Sequence, residues 1–149
     1  AEAVKRYNGE DISALPGAGA AGGLGGGFKA LLGARLERGV EMVLGAIHFD
    51  DIIAGCDIVI TGEGRLDAQT VMGKTPSGVL RAAQRHNIPC VAIGGAVAQC
   101  KELEESGFAA ILPTVSCPMP LEQAMQREVA VANVERTAEQ IVKLLNLNI

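Results

Sequence analysis

The sequence has no tryptophan, one tyrosine and three phenylalanines, so aromatics make up 3% of its 149 residues. A core of stacked rings is excluded. Ala, Val, Ile and Leu must fill the interior instead, a composition suited to α/β proteins whose parallel strands are covered on both faces. Positive charge is also in deficit: 13 Lys and Arg against 17 Asp and Glu leave a net charge of -4. That gives no basic field for nucleic acid or an anionic membrane surface. No apolar run approaches the roughly 18 residues that a membrane span needs. The opening AEAVKRYNGED is charged and has no signal-peptide core. It also lacks an initiator Met and reads as though cut from something longer. The four cysteines (Cys56, Cys90, Cys100, Cys117) form no CxxC, and there are only two histidines. Metal-ligand spacing is therefore missing, and unpaired thiols point to a reducing, cytoplasmic setting.

Apolar residues account for 48% of the chain, and its length fits one domain or the larger part of one. From Asp57 onward the pattern alternates. DIVIT (57–61), CVAIGG (90–95) and AAILP (109–113) read as buried parallel strands. Between the first two, Thr75 is placed to cap a helix with Pro76 at its first position. AQCKELEESG predicts a short helix stopped by Gly107. Residues 121–145 keep apolar positions at Met125, Val129, Val134, Ala138, Ile141 and Leu145, predicting one long amphipathic helix. The expected fold is α/β, a Rossmann-like three-layer parallel sheet over 56–149 preceded by a glycine-rich helical segment over 1–55. Three strands make a small sheet, so neighbouring strands are expected from elsewhere.

The segment PGAGAAGGLGGG (16–27) holds seven glycines in its last eleven residues. Gly17, Gly19 and Gly22 satisfy G-x-G-x-x-G, but that pattern signals dinucleotide binding only after a strand. Here the lead-in is polar and ends in Pro16. Close packing of a helix in AAGGLGGGFKALL is the better reading, with a backbone amide surface approaching a phosphate as the intermediate one. AQTVMGKT (68–75) fits a relaxed phosphate loop, but GEGRLD separates it from the strand and Pro76 removes an amide. Lys74 at a helix start remains a candidate anion contact.

GEGRLD (62–67) is the stronger signal, because ligands of parallel α/β sheets bind at the carboxyl ends of strands. Gly62 and Gly64 let the backbone approach a ligand. Glu63, Arg65 and Asp67 alternate and would share one side of an extended segment. A guanidinium between two carboxylates suits a small, anionic, hydroxylated substrate: Arg65 forks the anion, and Glu63 or Asp67 takes a proton or holds Mg²⁺. A self-satisfied Glu–Arg–Asp network is the bland alternative. Gly94 and Gly95 form a similar close-approach turn after the second strand. Thr114 and Ser116 share that edge, while His48 and His86 read as bland helical residues.

ITGEGRLDAQTVMGKTPSGV, preceded by PGAGAAGGLGGG and followed by VAIGGAV, closely resembles the bacterial glycerate kinases of the first type, the glycerate 2-kinases, in order and spacing. The resemblance covers nearly the whole chain. It implies ATP- and Mg²⁺-dependent phosphorylation of glycerate to 2-phosphoglycerate by a longer, two-domain α/β enzyme of which this is the C-terminal portion. The family's N-terminal strand with its Asp-Ser and Lys motif, and its other glycine-rich Asn-Asp segment, are absent here. The remainder of the kinase chain would therefore be the partner that completes the site, and an oligomer is left open. A dinucleotide-binding module and an inactive structural fragment are the rival classes.

Overall fold

The structure is a computed structural model and describes residues 1–146; the last three residues of the expected 56–149 unit lie outside the described residues. The chain divides into two compact units, Ala1–Met42 and Val43–Ile149.

In the first unit, α1 (Glu2–Asn8) ends at Gly9 in the left-handed conformation. A 3-10 turn (Ala20–Gly23) leads into α2 (Leu24–Leu32). The expected helix is therefore shorter than the glycine tract. Left-handed backbone at Ala21, Gly22 and Gly23 delays the α-helix until Leu24. Within α2, glycine is a packing requirement. A Cβ on Gly25 would stand 2.6 Å from the Gly17 carbonyl oxygen, and one on Gly26 would meet the Ile12 side chain at 2.6 Å. The Gly26 amide donates to Ala18 O at 2.9 Å. Leu24, Phe28, Leu31 and Leu32 remain exposed on α2. Lys5 and Ser13 hydrogen bonds hold the Asp11 carboxyl at a pKa of about 2.

The helix α3 (Gly39–Ala46) crosses the division between the units, and α4 (Phe49–Ile53) follows in the second. His48, at φ 53, breaks what reads in the sequence as one helical stretch. Asp50 of α4 pairs with Arg85 at 2.8 Å and with His86 at 2.9 Å; Arg85 first, and then His86, lowers the Asp50 pKa.

The sheet is fully parallel in the order β1-β2-β3, with β1 Val59–Leu66, β2 Cys90–Val97 and β3 Ala110–Pro113. The α/β class with a parallel sheet is thus as expected. The strand ends are not. β1 continues beyond Thr61 to Leu66 because Gly62, Glu63, Arg65 and Leu66 pair with β2, Glu63 opposite Gly94 and Arg65 opposite Ala96. GEGRLD is mostly strand, not loop, and Gly94-Gly95 is strand, not turn. The helix α5 (Thr75–Arg85) packs on β1 and β2, with Lys74 rather than Thr75 at the cap position.

Leu66, Ala92 and Leu103 form a fully buried core, Leu103 coming from α6 (Lys101–Glu104), with Val71, Val97, Phe108 and Ile111 against it. The core is aliphatic as the composition requires, and Tyr7 is 80% exposed. The expected long C-terminal helix is two: α7 (Leu121–Ala124) and α8 (Arg127–Leu145), separated by the extended backbone of Gln126. Along the anticipated apolar stripe only Ile141 is buried; Met125, Val134 and Leu145 are exposed. Among the described residues, no helix is long and apolar enough to cross a membrane.

Candidate functional site

At the carboxyl ends of β1 and β2 an open cleft of ≈ 400 Å³ lies against the second unit's sheet. Its strand side is Gly62, Glu63, Gly64, Ile93, Gly94 and Gly95. Thr114 and Val115 follow from the end of β3, Leu121 comes from α7, Met125 from just after it, and Asn133 and Val134 from α8. Thr114 is fixed by its own amide, which donates to Gly94 O at 2.7 Å.

Four glycines line this cleft, and space sorts them. A Cβ on Gly62 would stand 2.6 Å from Ile93 O, one on Gly94 2.8 Å from Leu66 Cγ, and one on Gly95 2.8 Å from Gly64 O. Those three are glycine because the strands approach too closely for anything else. Gly64 is different. Nothing lies within 4 Å of its would-be Cβ, and its backbone is not in the left-handed region. Packing does not account for glycine there.

The charged residues of GEGRLD are brought together by a residue that sequence reasoning passed over. Thr70, completely buried in the 3-10 turn Thr70–Met72, donates its hydroxyl proton to Glu63 Oε1. The same hydroxyl accepts from the Asp67 amide at 3.0 Å. Asp67 in turn stands between two cations, 3.7 Å from Arg65 Nε and 3.8 Å from Lys74 Nζ. Glu63 lines the cleft. Arg65, 69% exposed at its side chain, Asp67 and Lys74 are not among its lining residues and form a charged cluster next to the strand end. Ion pairs this long contribute little to stability.

β1 reaches Leu66, so Asp67 alone separates strand from AQTVMGKT. The segment still does not make a phosphate loop. The Gln69 amide is taken by Asp67 Oδ1 at 2.9 Å, Thr70 N by Asp67 O at 2.9 Å, and Met72 N by Gln69 O at 3.1 Å. Those amides are spent within the turn. Gly17, Gly19 and Gly22 lie in the first unit, where no strand precedes them among the described residues. The dinucleotide fingerprint therefore lacks its lead-in strand. Ser116 is occupied by Arg136 at 2.9 Å. No group of three or more His, Cys, Asp or Glu positioned to hold a metal occurs among the described residues.

Asn133 is the second residue that sequence reasoning missed. It is 6% exposed, lines the cleft from α8, and its amide nitrogen has no hydrogen-bond partner in the structure. The signal was present: Asn133 lies four residues from Val129 and eight from Ile141, on the helix's inward stripe.

Comparison with known proteins identifies the family of the chain. The family described as Glycerate kinase family matches residues 1–146. A glycerate kinase of Halalkalibacterium halodurans is 46% identical over 128 residues, covering 85% of this chain and 34% of its own length. The Bacillus subtilis glycerate kinase is 39% identical, covering 99% of this chain and 38% of itself. The Escherichia coli glycerate 2-kinase is 35% identical, covering 97% and 38%. A crystal structure described as a "putative glycerate kinase 2 from Salmonella typhimurium LT2" superposes with a TM-score of 0.67 at 38% identity, over 97% of this chain and 37% of that one. The chain thus spans little more than a third of the length of these relatives. With the match running from the glycine tract through α8, the chain belongs to the glycerate kinase family.

Proposed function

We propose that this chain forms part of a longer, cytoplasmic, ATP- and Mg²⁺-dependent kinase that phosphorylates a hydroxyl of glycerate to give 2-phosphoglycerate. The observation that carries the reading is the charged cluster of Glu63, Arg65, Asp67 and Lys74, set where the carboxyl end of a parallel strand meets the cleft. Family membership supplies the substrate. The exposed apolar stripes of α2 and α8 support a remainder of the kinase chain that covers them.

In this mechanism the Arg65 guanidinium forks the glycerate carboxylate, which a lysine cannot do with the same planarity. Glu63, its carboxylate held in place by the buried Thr70 hydroxyl, takes the proton of the attacking hydroxyl. That oxygen bonds to the γ-phosphorus as the bond to the leaving ADP oxygen breaks. Lys74 would meet the transferred phosphoryl group, whose catalysis rests on positioning and electrostatics. Asp67 fits Mg²⁺ as a single partly exposed carboxylate, since magnesium is held by one or two carboxylates plus phosphate oxygens and water. Bound there, the ion would neutralise charge on the phosphates.

The test is steady-state kinetics on the full-length kinase. Arg65→Lys should raise KM for glycerate at least tenfold with little change in KM for ATP. Glu63→Gln should lower kcat by about 10²–10³. Wild-type kinetics in both variants would remove the cluster from the site.

A further inference from the structure

The phosphoryl-transfer reading leaves most of the cleft unused. Its lining contains no Lys, Arg or His, and Glu63 is its one ionisable group. A glycerate carboxylate or a triphosphate placed inside would find no counter-charge, whereas Arg65 and Lys74 stand outside, around Asp67. The cleft suits a neutral, largely apolar ligand, and its ≈ 400 Å³ is the size of an ordinary small-molecule site. Two independent features specify the ligand further. Asn133 is buried with its amide nitrogen unpaired, a condition native proteins avoid unless something else supplies the acceptor. Gly64 presents bare backbone to the cleft although neither packing nor conformation demands it. A flat backbone floor, aliphatic walls of Leu121, Met125 and Val134, and one recessed amide donor match a planar heterocycle bearing a ring nitrogen.

We propose that the cleft holds the adenine ring of the phosphoryl donor, with the Asn133 side-chain NH₂ donating to the base and Gly64 forming the floor beneath it. The proposal rests on the kinase reading and adds the donor's position: base in the cleft, phosphates directed toward Lys74 and Asp67. An asparagine amide is well suited to an adenine edge because it can donate and accept side by side.

Calorimetric binding to the full-length protein tests this with three probes: adenosine, ATP and inorganic tripolyphosphate. Asn133→Leu should weaken adenosine and ATP alike by about tenfold, the effect of one lost hydrogen bond, and leave tripolyphosphate unchanged. In the wild-type protein, adenosine should shift the Asn133 side-chain NH₂ resonances in a ¹H–¹⁵N spectrum, a readout that does not depend on the variant folding. Unmoved Asn133 resonances, unchanged adenosine affinity in Asn133→Leu, or a loss that falls on glycerate instead would overturn the assignment. Glycerate-dependent ATP turnover alongside any of those results would cost the base site alone. Adenosine binding through Asn133 without turnover would cost the kinase reading alone.

Discussion

Replacing Thr70 by valine keeps the shape of a completely buried side chain and deletes its hydroxyl. Two hydrogen bonds disappear: the one accepted from the Asp67 amide at 3.0 Å and the one donated to Glu63. The Asp67 N–H has no other partner at hand, and stranding a partly buried donor costs about 1–3 kcal/mol. Glu63 is half-buried, so water replaces much of its lost bond, which adds less than a full charge-assisted bond would. A net loss of about 2 kcal/mol follows. If β1 and the Thr70 turn open together, exchange at the Asp67 amide should quicken by about 30-fold. Thr70→Ser is the control: it keeps both bonds and loses one buried methyl, costing about 1 kcal/mol. Hydrogen exchange and urea unfolding on the full-length protein would read both variants. In the kinase, Thr70→Val should also lower kcat, because Glu63 is no longer oriented, while Thr70→Ser should not. Should Thr70→Val prove as stable and protected as wild type while Thr70→Ser is the worse variant, the methyl and not the hydroxyl holds this turn, and the reasoning fails.

Three further outcomes follow from the same geometry. Gly64→Ala should leave thermal stability within about 0.5 kcal/mol of wild type yet impair ATP binding, whereas Gly94→Ala, with Leu66 2.8 Å from the new Cβ, should destabilise; equal stability losses would make Gly64 structural. Burial raises the Cys90 thiol pKa to about 11, so at pH 8 an alkylating reagent should label the exposed Cys56 and Cys117 and reach Cys90 only on unfolding, a pattern that peptide mass spectrometry reads directly. Asp11, depressed from 3.8 to about 2, makes a contribution to stability that is complete above pH 3.8 and lost as pH falls through about 2; an NMR titration of its carboxyl with a midpoint near 3.8 would break the Lys5 and Ser13 account.

The strands were legible because Val and Ile concentrate in them, and the glycines after Thr61 disguised where β1 ends. Glycine has poor strand propensity, yet pairing with β2 overrides it. The breaks at His48 and Gln126 carry no glycine or proline at the break itself, so helical spacing ran straight through them. Glu63 and Gly64 could be found from their place at a strand end. Thr70 and Asn133 could not be ranked, because only the folded chain shows that one hydroxyl is sealed between two carboxylate-bearing segments and one amide is buried without a partner.

The most direct test of the central claim is a ³¹P NMR time course of the full-length protein with ATP, Mg²⁺ and glycerate. The account predicts glycerate-dependent conversion of ATP to ADP and a new phosphomonoester signal. That signal should be split into a doublet by the single methine proton of 2-phosphoglycerate, and Glu63→Gln should suppress its growth. ATP that is indifferent to added glycerate would contradict the kinase assignment, and a triplet from a phosphorylated CH₂ would contradict the position of transfer.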